Sequence, residues 1–266
     1  MQRRLLILAS VLVVWQTHLL GQKTSFSGTA IQSDAAAITT IQRAIAAMGG
    51  QAAWESVGAA TAQLEVSSKG LPTRHVNWSD DWSSGYDRTR RDAADQSQSQ
   101  ATVATRTSRT LRLPNGTLKQ LPTTNDIAVL AVGYPAVALS LSLLRADCAI
   151  STGQGVPTPS GAGVTDQVIV IVRCTGAPYP GHRTELTWTF SSTTGLPLQV
   201  LIPIGPVTVI HPLKEQVEFT SFQSNHGLLS SSEITKTMPD GHVDHIHLTL
   251  TTFSSSLSDQ TFDITK

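Results

Sequence analysis

The stretch HRTELTWTF, residues 182–190, decides how the rest of this chain is interpreted. Leu186, Trp188 and Phe190 occupy every second position, so a β-strand would place them on one face and the intervening threonines on the other. This alternation predicts a strand that is buried on one side only, which is typical of an antiparallel sheet.

Segments of the same kind recur on both sides of this stretch, separated by turn residues. After residue 166 they read QVIVIVRC, LPLQVLIP, PVTVIH, EQVEFTSF, LLSSSEITKTM and HVDHIHLTLTTF. Before it they read ATAQLEVSSKG, the sequence around Arg74 to Trp78, GYDRTRR and ATVATRTSRTLRLPNGTLKQL, where Asn115-Gly116 marks a hairpin. One-faced strands joined by short turns predict an antiparallel meander, which must curl around helices or pair with a second sheet.

Two helical regions interrupt the β pattern. Residues 34–48 place isoleucines and Met48 at three- and four-residue spacing, with Ser33 or Asp34 as the cap and Gly49-Gly50 as the stop. Residues 125–146, NDIAVLAVGYPAVALSLSLLRA, are apolar on most faces and are divided by Pro135 into two short helices. We therefore expect an α+β fold that is mainly β, in which these helices form core or cover a cavity.

The N-terminal sequence is typical of an exported protein. Arg3 and Arg4 precede a short apolar run, which predicts a signal peptide over 1–22, with a retained membrane anchor as the alternative. A flexible lead-in over 23–33 and a single domain over 34–266 would follow. The whole chain balances 19 basic against 19 acidic side chains, so it lacks the basic excess of a nucleic-acid-binding protein. No second apolar run is long and uninterrupted enough to cross a membrane, so we expect the chain to be peripheral to a membrane at most.

The chain has two cysteines, Cys148 and Cys174, on either side of a segment rich in glycine, proline and serine. In an oxidising compartment they predict a disulfide that closes this loop, with two buried free thiols as the alternative.

Three histidines fall within GHVDHIHLTLTTF, residues 241–253. If this is a strand, alternation gives one face to Ile246, Leu248 and Leu250. The opposite face receives His245, His247, Thr249 and Thr251. Histidines two positions apart can bind a metal, but a catalytic zinc site needs a third protein ligand, which the sequence does not supply. We therefore favour a solvated strand face and no metal site.

No motif indicates a catalytic residue or a cofactor. The sequence contains no G-x-S-x-G, S-x-x-K or H-E-x-x-H, and its glycine-rich segment lacks the lysine of a phosphate-binding loop. Asp80-Asp81, between Trp78 and Trp82, are expected to be solvated turn residues.

Four segments resemble a known family. They are AIAAMGGQAAWESVGAATAQLEV near the start, WTFSSTTGLPLQV at 188–200, VEFTSFQSNHGLLSSSEI at 217–234 and LSDQTFDI at 257–264. Together with the order of helices and strands, they resemble the outer-membrane lipoprotein carriers, the LolA-like half-barrel proteins of the bacterial envelope. The resemblance implies a curved antiparallel sheet, or incomplete β-barrel, plugged by the N-terminal helix and the central apolar helix pair around a cavity for acyl chains. The implied lining residues are Leu130, Leu139, Leu143, Trp188, Phe190, Val217 and Phe219.

Three functions remain open on these grounds. The first is an exported, non-enzymatic protein that binds a lipid or another apolar ligand in the half-barrel. The second is a secreted metal-dependent enzyme that uses the histidine cluster at 242–247. The third is a structural or interaction module of the envelope with a protein partner, for which the Ser/Thr-rich composition is the only support.

Overall fold

The computed structural model describes residues 33–83, 88–93, 100–105, 108–121, 126–154, 166–175, 183–204 and 213–265. The predicted signal peptide at 1–22 lies outside these ranges, as does the lead-in at 23–33 apart from Ser33. In the described part, no helix is long and apolar enough to cross a membrane.

Within the described ranges, thirteen strands form one antiparallel sheet. They are β1 Ala59–Ser68, β2 Arg74–Asp81, β3 Arg88–Ala93, β4 Ala101–Ala104, β5 Arg109–Arg112, β6 Leu118–Leu121, β7 Cys148–Thr152, β8 Gln167–Thr175, β9 Arg183–Ser191, β10 Pro197–Ile204, β11 Leu213–Asn225, β12 Leu228–Thr237 and β13 Val243–Ser254. Their spatial order is β6-β5-β4-β3-β2-β1-β13-β12-β11-β10-β9-β8-β7. The sheet is curved and does not close, which confirms the predicted incomplete barrel.

Four helices and one short 3-10 helix accompany the described strands. They are α1 Ala35–Ala47, α2 Gln51–Glu55, α3 Asp126–Gly133, α4 Pro135–Leu144 and the 3-10 helix Asp259–Phe262. Helix α1 packs on β7, β8 and α4, while α3 and α4 pack on each other and on β12. We call the sheet face that these helices cover the inner face, and the opposite one the outer face.

The amphipathic pattern of the first helix is confirmed. The Asp34 carboxylate caps α1 by accepting the Ala36 N–H at 2.9 Å, and Ile41, Ile45 and Met48 are buried against the sheet. Gly49 ends the helix with a φ of 118°, in the left-handed region that favours glycine. A side chain there would also meet the Gly227 carbonyl at 2.7 Å.

Proline separates the two central helices as expected. Pro135 is the first residue of α4, where its missing N–H costs no hydrogen bond, and Tyr134 forms the junction with α3. The α4 backbone is buried along almost its whole length, so the apolar faces of the pair are used for packing.

The predicted disulfide is present. Cys148 on β7 lies directly opposite Cys174 on β8, and their sulfurs are bonded. The other side of β7 is also occupied, because the Asp34 N–H donates to the Ile150 carbonyl at 2.7 Å and the Thr152 hydroxyl donates to the Asp34 carboxylate at 2.7 Å. The N-terminal cap of α1 therefore also covers the edge strand.

Strand β13 departs from the alternation expected of it. Leu248 pairs with Leu64 on β1 but Leu250 pairs with Gln63, so one extra residue of β13 forms a bulge. Beyond the bulge the faces exchange: Leu250 is 54% exposed and Thr251 only 6%. The prediction was correct up to Leu248 and wrong for Leu250 and Thr251. The bulge depends on pairing with β1, and the order of apolar and polar residues along β13 does not reveal it.

The interpretation of Asp80 and Asp81 as solvated turn residues is wrong. Both end strand β2, and both are 0% exposed. Burial is possible because the next strand, β3, supplies an arginine to each: Arg91 lies 3.1 Å from Asp80, and Arg88 lies 2.8 Å from Asp81.

Candidate ligand-binding interior

Strands β8 to β11 line the inner face with one continuous apolar row. Val170, Trp188, Val200 and Val217 lie opposite one another on successive strands, and each is 0% exposed. Side chains directly opposite one another project from the same face. The apolar residues of the one-sided strands predicted from the sequence therefore pack side by side on the inner face.

An aromatic group extends this row along the strands. The Trp188 ring is stacked with Phe190 at a centroid distance of 6.0 Å and with Phe219 at 6.2 Å. Both phenylalanines are almost completely buried. Together they form a broad, flat apolar surface under the helices.

The helices supply the facing side of the interior. Leu130 on α3 and Leu139 on α4 are completely buried, whereas Leu143 near the end of α4 is only partly buried. The structure thus brings all seven implied lining residues into one apolar cluster, in which six are buried and Leu143 is partly buried. That a ligand contacts them stays a prediction.

Some polar atoms in this interior have no partner in the described part of the chain. The indole N–H groups of Trp78 and Trp188 and the hydroxyl of Ser140 are buried without a hydrogen bond. By contrast, the Trp54 N–H donates to the Met48 carbonyl at 2.9 Å, and the Trp82 N–H donates to the Val57 carbonyl at 2.7 Å. A buried unpaired donor costs about 1–3 kcal/mol, so such groups commonly mark a place where water or a ligand binds.

Tyr134 holds the helix junction against β2. Its ring packs on Trp82 at 5.4 Å, on Trp78 at 6.1 Å and on Phe253 at 6.2 Å. Gly133 lies so close to the Trp78 ring that an added Cβ would approach it to 3.0 Å. The junction between the helices is therefore fitted closely to the inner face of β2.

Beyond β2 the inner face becomes ionic. Arg91 lies over the Trp78 ring at 3.6 Å from its centroid and donates to the Asp80 carboxylate. Burial raises the pKa of Asp80, and the Arg91 charge opposes this shift. The cation–π contact and the ion pair together allow a charge to remain beside the apolar interior.

A second ionic group fastens the C-terminal segment to the outer face of β2 and β3. The Asp81 carboxylate accepts the Leu257 N–H at 2.9 Å, and Arg88 reaches Asp259 at 2.5 Å and lies 4.5 Å from the centre of the Phe262 ring. Sequence reasoning missed this group, although the charge pattern of GYDRTRR, after Asp80-Asp81, could have indicated pairing between the two segments.

His245 and His247 lie on the outer face, away from the interior. His247 Nδ1 is 2.6 Å from a Glu233 oxygen, and His245 Nδ1 is 3.3 Å from the Thr235 hydroxyl. His242 contacts Asp244 instead. Among the described residues, no group of three or more histidine, cysteine, aspartate or glutamate side chains is placed to hold a metal ion.

The same outer face carries two shallow hollows of about 260 and 270 Å³. They lie over β1 and β2 beside the β13 bulge, and their shared lining residues are Gln63 and Asn77. Neither hollow is lined by the residues that were expected to surround a ligand.

The architecture is similar to that of solved proteins. An outer membrane lipoprotein-sorting protein domain from Vibrio parahaemolyticus is 12% identical, with a TM-score of 0.54, and the match covers 87% of this chain and 99% of that one. A LolA superfamily protein from Nitrosomonas europaea is 9% identical, with a TM-score of 0.51 and coverage of 85% and 96%. The chain has the LolA-like half-barrel fold.

A third LolA-like match is a DUF1329 family protein from Desulfovibrio piger, 10% identical, with a TM-score of 0.53 and coverage of 85% and 97%. No protein-family model and no curated protein sequence matches the chain. At identities this low the likeness concerns the half-barrel fold alone.

Proposed function

We propose that this chain is an exported, non-enzymatic protein that binds a lipid or another apolar ligand inside its half-barrel. The observation that carries the proposal is the combination of an apolar inner face with unpaired donors. Trp188 lies at the centre of the buried cluster, and its indole N–H has no partner in the described residues. A ligand with apolar chains and a few acceptor oxygens, such as an acyl ester, would satisfy both features.

Ligand entry in this proposal requires the helix pair to move. The interior is closed to solvent, since Leu130, Leu139 and Trp188 are all 0% exposed. Helices α3 and α4 contact the sheet mainly through apolar side chains, together with the Ser231 hydroxyl, which donates to the Gly133 carbonyl at 3.0 Å. Apolar contacts are not directional, so an acyl chain could replace the helix contacts with little loss of free energy.

Export is supported by two features. The disulfide between Cys148 and Cys174 is of a kind that persists in the periplasm or outside the cell. The solved structures with a similar fold include an outer membrane lipoprotein-sorting protein domain. We propose a periplasmic or extracellular location, with residues 34–266 as a single domain.

The test is native mass spectrometry of the mature chain, purified from its own envelope without detergent or chelator. We expect an additional mass that organic solvent removes. A bare chain that also fails to take up a fluorescent fatty acid would contradict the proposal and favour an interaction module with an envelope protein partner. A metal-sized increment that disappears when His245 and His247 are both replaced by Ala would favour the metal-dependent enzyme.

A further inference from the structure

Strands β5 and β6 carry basic side chains that have no acidic counterpart. Residues 100–121 contain four basic side chains and no acidic one. Of these, the structure describes Arg109, Arg112 and Lys119, and within its described ranges none of them forms an ion pair. The arginines of β3 differ, because Arg88 and Arg91 are each bonded to a buried aspartate on β2.

The strand register shows which of these cations share the inner face with the apolar interior. One row of directly opposed residues runs across β2 to β6 as Trp78, Arg91, Thr102, Leu111 and Lys119. The adjacent row runs as Asp80, Thr89, Ala104, Arg109 and Leu121. Since opposed residues project from the same face and Trp78 contacts the helix junction, Lys119 and Arg109 lie on the inner face.

Arg109 and Lys119 alternate with leucines there. Arg109 lies opposite Leu121, and Lys119 lies opposite Leu111. We call these four residues the basic patch. Its two cations are diagonal neighbours on adjacent strands, roughly 7–8 Å apart, which allows both to reach one phosphate group. An arginine can bind such a group through two parallel hydrogen bonds.

The basic patch is continuous with the proposed ligand site. Trp78, at the helix junction, begins the row that ends at Lys119, and its buried N–H has no partner in the part of the chain described. From β2 to β6 is four strand spacings, or roughly 19 Å. An acyl chain of a membrane lipid spans about 15 Å, half of the hydrocarbon core, so a chain that starts at the patch would approach the helix junction.

We propose that the basic patch binds the phosphate of an anionic phospholipid whose acyl chains enter the interior beside Trp78. This inference rests on the proposed function and makes it more specific, because it assigns the ligand a charged headgroup. It also explains why cations stand beside leucines on the inner face. Such an arrangement suits the junction between a headgroup and its chains, whereas a water-soluble phosphate compound would gain nothing from Leu111 and Leu121.

The same hairpin offers a matched control. Arg112 follows Leu111 on β5 and lies opposite Leu118, so both occupy the outer face. Leu118 is 47% exposed. A variant that loses Arg112 loses the same charge from the same strand without altering the inner face.

The experiment compares two pyrene-labelled lipids with identical chains, phosphatidylglycerol and a diacylglycerol that lacks the phosphate, added to the delipidated full chain. We expect the anionic lipid to bind about tenfold more tightly, which is the effect of one or two charge-assisted hydrogen bonds. In Arg109→Gln/Lys119→Gln this preference should fall to about one while diacylglycerol binding stays unchanged. Arg112→Gln should keep the preference, and urea midpoints should show that all three proteins are folded.

Each other outcome has a definite meaning. If the wild-type chain binds both lipids equally, the headgroup inference is wrong but the proposed function stands. If it binds neither, both are wrong. If Arg112→Gln abolishes the preference as fully as the double variant, the cations act by diffuse attraction to a membrane surface and the patch is not a site. If glycerol 1-phosphate displaces the lipid at an equal concentration, the site takes a soluble phosphate compound.

Discussion

On β8 to β11 the inner face is filled by side chains such as Val170, Trp188 and Val200, which belong to the buried apolar cluster. On β2 and β3 the same face of the same sheet carries Asp80 and Arg91 as a buried ion pair. The first region is held by contacts that do not depend on direction, and the second by hydrogen bonds with fixed geometry. In the proposed function, the apolar region exchanges its helix contacts for those of a ligand, while the ionic region keeps its own.

The largest expected effect tests the apolar region. Trp188→Ala removes the ring that stacks on both Phe190 and Phe219, and should lower the free energy of unfolding by about 4 kcal/mol. Urea denaturation of the delipidated chain measures it. A loss below about 1 kcal/mol would mean that the interior is not packed in solution. It would contradict the view that apolar packing holds β8 to β11.

The disulfide should have the next largest effect. Replacing both Cys148 and Cys174 by Ala frees a loop whose ends are 26 residues apart. The chain-entropy relation gives a loss of about 3.5 kcal/mol in the free energy of unfolding. The same value should be found for the wild-type chain after reduction, and a variant that is as stable as the oxidised chain would show that β7 is held by packing alone.

Loss of an arginine from the ionic region should lower the free energy of unfolding less than these changes do, but it should loosen the C-terminal segment. Arg88→Met leaves the buried Asp81 without its arginine and releases Asp259, which should cost about 2 kcal/mol. Limited proteolysis followed by mass spectrometry should then detect cleavage near the C terminus. Arg112→Met, on a neighbouring part of the sheet, should show neither effect.

Low pH should weaken the contact between Asp81 and Arg88. Burial raises the pKa of Asp81, but hydrogen bonds from Ser83, the Leu257 N–H and Arg88 outweigh burial and hold the pKa below 3.8, its ordinary value. The stabilisation is therefore complete above the ordinary value and is lost as the pH falls through the lower, folded value. Between pH 5 and about pH 2 the wild-type chain should lose more stability than Asp81→Asn, because only the wild-type chain has a carboxylate at this position to protonate. The raised pKa of Asp80 affects both proteins alike. Equal losses would exclude Asp81 as the responsive group.

The smallest effect tests the bulge in β13. Leu250→Ser should change the free energy of unfolding by less than about 0.5 kcal/mol, since Leu250 lies on the outer face after the bulge. Leu248→Ser, two residues earlier and almost completely buried, should cost several times more. Similar losses for the two variants would show that the strand alternates without interruption.

The sequence predicted the features that depend on neighbouring residues better than those that depend on residues far apart in the chain. Helix α1, the division at Pro135 and the hairpin at Asn115-Gly116 were predicted correctly, because spacing, proline and turn residues act locally. The disulfide was predicted from two cysteines that flank a loop in an exported chain, and it is present. The seven lining positions were implied by the strand pattern and the family resemblance, and the structure places them in one cluster.

What escaped prediction depends on partners distant in sequence. The bulge in β13 is fixed by pairing with β1, almost two hundred residues earlier. Burial of Asp80 depends on Arg91 in the next strand, and the anchoring of the C-terminal segment depends on Arg88. The inner position of Lys119 emerged only when the register across β2 to β6 was known. Local composition cannot supply any of these, because each is a relation between strands.

An open sheet has two edge strands, and each could pair with another copy of the chain to start a fibre. At β7 this route is obstructed, since Ser33 and Asp34 occupy backbone groups of Ile150 and Thr152 that a foreign strand would need. At β6 the strand has only four residues and includes Lys119, a short and charged edge of the kind that discourages such pairing. The sheet can thus remain open and still resist edge-to-edge aggregation.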